Sequence, residues 1–319
     1  MRAIGGATLV SLNVVPRHRL RVSLLLAAVL AVLAATAAGC GSSSGGSTQA
    51  AGTNASAGKN CEVGDLNLVK LGRLTIGTDN PAFPPWFGGG TSEGSKWKIN
   101  DPATGKGFES AVSYAVAKKL GFKRNEVDWV VVPFDQAFKP GSKSFDFAIN
   151  QISYTPARAK SVDFSSSYYD VNQALVGIKG TPITSVKTRA DLKDYKLGAQ
   201  IGTTSYDYIT KNIKPKQQPS VYNTSNDVNS ALKAKQIDGI VVDLPTAFFI
   251  VGAGQVPNSV VVGQFPSVGG PEHFGMVFQK GNALVKCVNQ ALSALKADGT
   301  LARIQNEWLS SKVSAPVLK

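Results

Sequence analysis

The hydrophobic pattern predicts an α/β protein built as two lobes. Short apolar or β-branched runs alternate with segments of helical period from residue 74 onward, and the alternation runs through two successive series. Strands separated by helices make α/β layers, and two series in one chain make two lobes. In the first series, Leu74–Gly77 reads as a strand. Phe108, Ala111, Val112, Ala115, Val116 and Leu120 recur at helical spacing, and Gly121 ends that helix. Val127–Val132 is β-branched and strand-like, and Phe145–Ile149 follows as another strand. Thr155-Pro156 opens a helix, with Thr as N-cap and Pro at the first helical position. The second series runs from Ala174–Ile178 through a short helix near Asp191 to Leu197–Ala199. Helices over Thr203–Lys211 and Ser225–Lys235 and a buried strand over Ile237–Val242 complete it. Phe274–Phe278 is again a strand, and Ala283–Ala297 is an amphipathic helix stopped by Gly299.

Ahead of this core the chain changes character. Arg17, Arg19 and Arg21 precede an apolar run from Val22 to Ala37, then Ala38-Gly39-Cys40. A basic stretch, an apolar stretch and small residues describe an export signal. The run is shorter than the ~20 residues a spanning helix needs, which stands as the alternative. Residues 41–60 (GSSSGGSTQAAGTNASAGKN) are Gly/Ser-rich and read as a tether. Removing residues 1–39 takes four Arg and no acid from 34 Lys/Arg and 21 Asp/Glu, leaving 30 against 21, a net +9. These charges are scattered rather than blocked, so no nucleic-acid footprint is expected.

Of the three cysteines, Cys40 ends the signal; with Cys40 taken up there by modification, Cys61 and Cys287 form the natural pair in an oxidising compartment, with two unrelated thiols as the alternative. Such a bridge closes a loop worth roughly 4–5 kcal/mol in the chain-entropy model. His18 and His273 are the two histidines and no CxxC occurs, so neither a metal site nor a Cys-His nucleophile is expected, and no cofactor.

A cysteine at the signal's end resembles the lipobox of bacterial lipoproteins. The resemblance implies cleavage after residue 39 and acylation of Cys40, palmitate included, which anchors the chain to the extracytoplasmic face of a cell membrane. A second resemblance covers about residues 70–310. LTIGTDNPAFPPW (74–86), Gly107-Phe108-Glu109, FDFAINQISYTPARAKSVD (145–163), FSSSYYD (164–170), Gly202-Thr203-Thr204, IDGIVVD (237–243) and LKADGTLARIQNEW (295–308) occur in the order found in family 3 extracellular solute-binding proteins, the amino-acid receptors of ABC importers. It implies the two-lobed, type II periplasmic-binding-protein fold, its lobes joined by two crossing strands. Lobe 1 is then 62–172 plus 269–319 and lobe 2 is 173–268, after a signal over 1–39 and a tether over 40–61. The implied partners are an amino-acid ligand, a permease and its ATPase, with the receptor itself a monomer.

A receptor that buries an amino acid must replace water around a carboxylate and an ammonium, because an unpaired buried charge costs several kcal/mol. The resemblance gives Arg158, one turn into its helix, the grip on the carboxylate, for which a planar guanidinium suits. Ser153 and Thr155 help from the same segment, and Thr204 adds donors from the other lobe. The family's matching acid, Asp243, takes the ammonium; capping the next helix is its alternative. Phe83 matches the aromatic lid, although one extra residue after Asp79 leaves Trp86 as its rival. Asp79 either faces the ligand side chain or caps a turn. Asn150 and Gln151 bring amides into the pocket where many relatives carry small residues, and Glu109 starts a helix where Asp is usual. Trp97, in the long segment 88–107, packs over the lobe or reaches the cleft mouth.

The expected function is binding without chemistry: a lipid-anchored receptor delivers a polar amino acid to an importer. A dehydratase-like enzyme on the same scaffold, or a receptor for another carboxylate, are the alternatives; no paired general acid and base is visible.

Overall fold

Leu74–Thr78 forms strand β1, and all five of its residues are buried, as a strand covered on both faces must be. β2 (Val127–Val131) and β3 (Phe147–Ala148) lie parallel to it on either side. β4 (Val162–Phe164) stands at the far edge of the same sheet. β5 (Tyr169–Val171) then leads out of the first layer into β6 (Gln173–Ile178). A second five-stranded sheet follows, from β6, β7 (Leu197–Gln200), β8 (Ser220–Tyr222), β9 (Gly239–Asp243) and β10 (Ser259–Gln264), in the order β10-β6-β9-β7-β8. The chain returns along β11 (Glu272–Phe274), antiparallel to β5, and enters the first sheet as β12 (Val277–Gln279), between β3 and β4. β5 and β11 are thus two crossing strands between two α/β lobes.

The computed structural model describes residues 61–268, 270–309 and 315–319, so the expected signal (1–39), the lipidation at Cys40 and nearly all of the tether lie outside the described residues. α1 (Phe108–Lys119) covers the first sheet. Its first residues pass close under the preceding loop. Gly107, at φ +92°, lies where a Cβ would sit 2.4 Å from Cα of Phe87, so no other residue fits there. α2 (Phe134–Ala137) and α3 (Pro156–Ala159) are single turns beside the cleft. α4 (Thr204–Tyr208), α5 (Ser225–Lys233) and α6 (Leu244–Gly252) serve the second sheet. α7 (Leu284–Ala297) and α8 (Thr300–Leu309) pack with α1 on the first. Cys61 and Cys287, the latter on α7, are joined by a disulfide across 226 residues.

Several expectations are corrected. The strand expected over Phe274–Phe278 is two strands in different sheets. Phe274 pairs with Tyr169 and Val277 with Phe164, and the chain changes partner at Gly275-Met276. Both pieces are buried, so the hydrophobic run does not betray the break. β3 keeps only two of the five residues expected. The helix from Thr203 is α for Thr204–Tyr208 and continues as a π turn over Ile209–Ile213. Gly299 stops α7, but α8 begins at once behind it. Residues 315–319, expected in lobe 1, lie on lobe 2 instead: Val317 bridges to Gln264, and Leu318 is buried with Phe265 and Leu175. Gly263 makes room, since a Cβ there would stand 2.7 Å from Leu318.

Candidate functional site

A cavity of about 130 Å³ lies between the lobes, walled on one side by Asp79, Phe83, Trp86, Asn150, Gln151 and Arg158. The opposite wall carries Thr204, Ser205, Asp243, Thr246, Phe249 and Gln200. Ser153 also lines it. Eight of the nine expected ligand residues are therefore brought together; the exception is Thr155.

Thr155 is the N-cap of α3. Its hydroxyl oxygen accepts from the backbone N–H of Arg158 at 3.1 Å, and the residue stands off the cavity wall. That cap fixes the start of the helix and hence the direction of Arg158. The guanidinium leaves lobe 1 and stacks over Phe138, 4.3 Å from the ring centroid, with Phe134 at 5.6 Å. Nη1 donates to the carbonyl of Ser153 at 2.6 Å and Nη2 to the carbonyl of Gly202, in lobe 2, at 2.7 Å. Gly202 turns its carbonyl this way at φ +74°. Burial lowers the Arg158 pKa to about 10, against the opposing pull of Glu272, Asp207 and Asp243. It remains a cation at neutral pH.

Asp243 ends β9, and its side chain makes no cap hydrogen bond to α6, so the capping alternative does not hold. Its Oδ1 accepts from Nε2 of Gln173 at 2.8 Å. Burial first, and the neighbouring Glu272 second, push its carboxyl well above the usual range. An ionised acid here therefore asks for a cation.

The two lobe 1 rings expected as rivals for the lid stand differently at the cleft. Trp86 is buried among Phe108, Tyr169 and Phe274 and reaches across the cleft, its Nε1 donating to Thr246 Oγ1 at 3.0 Å. Phe83 is the half-buried ring on the wall. Asp79 is on the wall but does the work of a turn: Oδ1 accepts from Asn80 N and Oδ2 from Phe134 N, while burial raises its pKa. Trp97 packs in the lobe 1 core.

Gln151 is held rather than free. It sits at φ +47°, in the left-handed region, and Glu109 fixes it there. Glu109 Oε1 accepts from Gln151 N at 2.6 Å and from the hydroxyl of Tyr168, and Oε2 accepts from Gln151 Nε2. Glu109 is wholly buried on α1, and burial raises its pKa to about 7 against these three donors. Its expected role as a helix starter is thus the lesser part. The hydroxyls of Ser153 and Thr204 both donate to Glu272 on β11, Ser153 at 2.7 Å.

Glu272, Gln173, Phe138 and Tyr168 escape the sequence reading. Gln173 and Glu272 each stand at a crossing between lobes, and their only sequence signal is a polar residue beside an apolar strand.

The Bacterial extracellular solute-binding proteins, family 3, model matches residues 89–311. The chain is 30% identical over 260 residues to the L-cystine-binding protein TcyJ of Escherichia coli, covering 79% of this chain and 88% of that one. Among solved structures it is similar to an ancestral arginine-binding protein bound to arginine, with 31% identity, TM-score 0.60, and 74% and 98% of the two chains covered. It is also similar to the ancestral amino acid-binding protein AncCDT-1, described as a precursor of cyclohexadienyl dehydratase, at 27% identity and TM-score 0.60, covering 75% and 95%. These relatives are named as binding proteins, and the fold they share is the type II periplasmic-binding-protein fold. With the crossing strands, the two sheets and the matched segment in agreement, the chain belongs to family 3 of the bacterial extracellular solute-binding proteins.

Proposed function

We propose that this chain is a lipid-anchored extracytoplasmic receptor that binds a polar amino acid between its lobes and delivers it to an ABC importer. One observation carries the reading: a guanidinium from lobe 1 and a carboxylate from lobe 2, Arg158 and Asp243, line a single cavity. A free amino acid carries the complementary pair of charges on one carbon. Arg158 takes the carboxylate, Asp243 the ammonium, and Phe83 covers the aliphatic part. The cavity wall adds the amides of Asn150 and Gln200 and the hydroxyl of Ser205, which suits a polar side chain. The cystine and arginine bound by named relatives agree with a zwitterionic ligand. Closure over the ligand is the form that a permease would recognise. Cys40 supplies the anchor, and no helix among the described residues is long and apolar enough to cross a membrane.

Thermal unfolding of the full-length protein against each of the twenty amino acids and L-cystine tests the reading. A ligand that binds only the folded form raises the midpoint with its concentration. A rise with one or a few supports it; no rise with any, together with turnover of a prephenate-like acid, replaces it by the dehydratase. Mass spectrometry of the membrane fraction tests acylation of Cys40.

A further inference from the structure

The two hydroxyl protons expected to meet a ligand carboxylate already belong to Glu272. This residue stands on β11, the second crossing strand. Oε1 accepts from Ser153 Oγ at 2.7 Å, in lobe 1, and from Thr204 Oγ1, in lobe 2. Oε2 accepts from Gln173 Nε2 at 3.0 Å, and the same nitrogen donates to Asp243 at 2.8 Å. A hydroxyl has one proton to donate. Ser153 and Thr204 therefore turn only lone pairs towards the cavity. Arg158 is engaged as well, by the carbonyls of Ser153 and Gly202. Both hydroxyl donors from the facing lobes, and two of the five N–H groups of Arg158, are thus paired within the protein, and the anion that pairs the hydroxyls belongs to the chain itself.

We propose that Glu272 is a positioning residue whose carboxylate takes the protons of Ser153 and Thr204 in place of a ligand carboxylate and gives them up when a ligand binds. The proposal rests on the amino-acid-receptor reading. It explains how polar groups placed to bind a ligand remain satisfied without one, since a buried group left unpaired is costly. Because Ser153 and Thr204 come from different lobes, their shared acceptor also ties the two lobes to each other. Affinity is then set by the difference between two carboxylates competing for the same donors.

Isothermal titration of the full-length protein decides it, with wild type, Glu272→Gln and Glu272→Ala. The probes are L-arginine, L-glutamine and L-cystine, each beside its decarboxylated counterpart: agmatine, 4-aminobutanamide and cystamine. Removing the internal competitor tightens binding of whichever amino acid the wild type takes by about tenfold or more, the scale of one charge-assisted hydrogen bond. The matching amine has no carboxylate to compete and gains little. Unchanged or weaker amino-acid binding in both variants overturns the proposal. So does an amine bound as tightly as its amino acid by wild type and lost in the variants, which would make Glu272 an ammonium acceptor. A ligand-free measurement separates this from failure of the receptor reading: small-angle scattering should give both variants a larger radius of gyration than wild type. If the wild type binds none of the amino acids, the receptor reading fails while scattering still decides whether Glu272 holds the lobes; equal radii overturn the proposal.

Discussion

Two acids, one behind the cavity wall and one on it, keep very different company. Glu109, in lobe 1, is wholly buried and has three donors around its two oxygens: the Gln151 backbone, the Gln151 amide and the Tyr168 hydroxyl. Asp243, in lobe 2, has the amide of Gln173, while the acid Glu272 beside it makes its charge harder to hold. Glu109 is complete without a ligand and fixes the left-handed Gln151 in the cavity wall. Asp243 is incomplete, with unused lone pairs facing the cavity. An acid saturated by protein donors serves the fold, whereas one left short of partners in a cleft is placed to receive a cation.

The sharpest way to break this contrast is to neutralise the incomplete site. Asp243→Asn keeps an oxygen for Gln173 but loses the charge that an ammonium needs, and Arg158→Ala removes the opposite anchor. Each should weaken amino-acid binding by ~2–5 kcal/mol, the scale of a buried charged pair broken on one side. Titration calorimetry measures it, and affinity within about threefold for either variant would end the assignment. Glu109→Gln, by contrast, should leave affinity within about threefold, because its oxygens face Gln151 and Tyr168 rather than ligand.

The acid in lobe 1 should show itself in stability instead. Its pKa is about 7 in the folded protein and 4.5 ordinarily, so between these values the folded form holds a proton that the unfolded chain has lost. Stability is then greatest on the acid side and falls as pH rises from about 4.5 to about 7, by an amount on the order of 3 kcal/mol. Denaturant unfolding of wild type and Glu109→Gln across that window checks this: the variant should lack the slope. Tyr168→Phe removes one donor and should cost ~1–3 kcal/mol at neutral pH, with the slope retained.

Asp243 predicts a pH effect on binding rather than on folding. Its carboxyl, held above the usual range by burial and by Glu272, must ionise to receive an ammonium. Binding therefore releases a proton, and affinity should rise with pH until the empty site is already ionised. Dissociation constants from pH 5 to 8, with heats in buffers of different ionisation enthalpy, read both quantities; a falling affinity would contradict it. The smallest effect belongs to Thr155→Ala. Losing the cap of α3 should cost ~1 kcal/mol of stability and, because the carbonyls of Ser153 and Gly202 still hold the guanidinium of Arg158, leave affinity nearly unchanged.

Much of this was legible in the residues. Alternating periods give the two α/β series, and Thr155-Pro156 marks the start of the helix that aims Arg158. The apolar strand ending in Asp243 brings an acid to the edge of a sheet, where a cleft is expected. Cys61 and Cys287 pair because little else in the chain could take them. These features are local, or depend on residue type alone, and so survive in a one-dimensional pattern. The partner of each polar group is different, because it depends on which elements the fold brings face to face. Glu272 follows a Gly-Gly-Pro segment and gives no sign that Ser153, 119 positions earlier, and Thr204, 68 positions earlier, will both reach it. The break at Gly275 and the return of residues 315–319 to the second lobe are equally invisible, since a buried strand looks the same whichever sheet it joins. Composition and period determined the layers, and the family resemblance singled out Arg158 and Asp243. Only the packing of one lobe against the other decided which donors are already taken and which acid still waits for a partner.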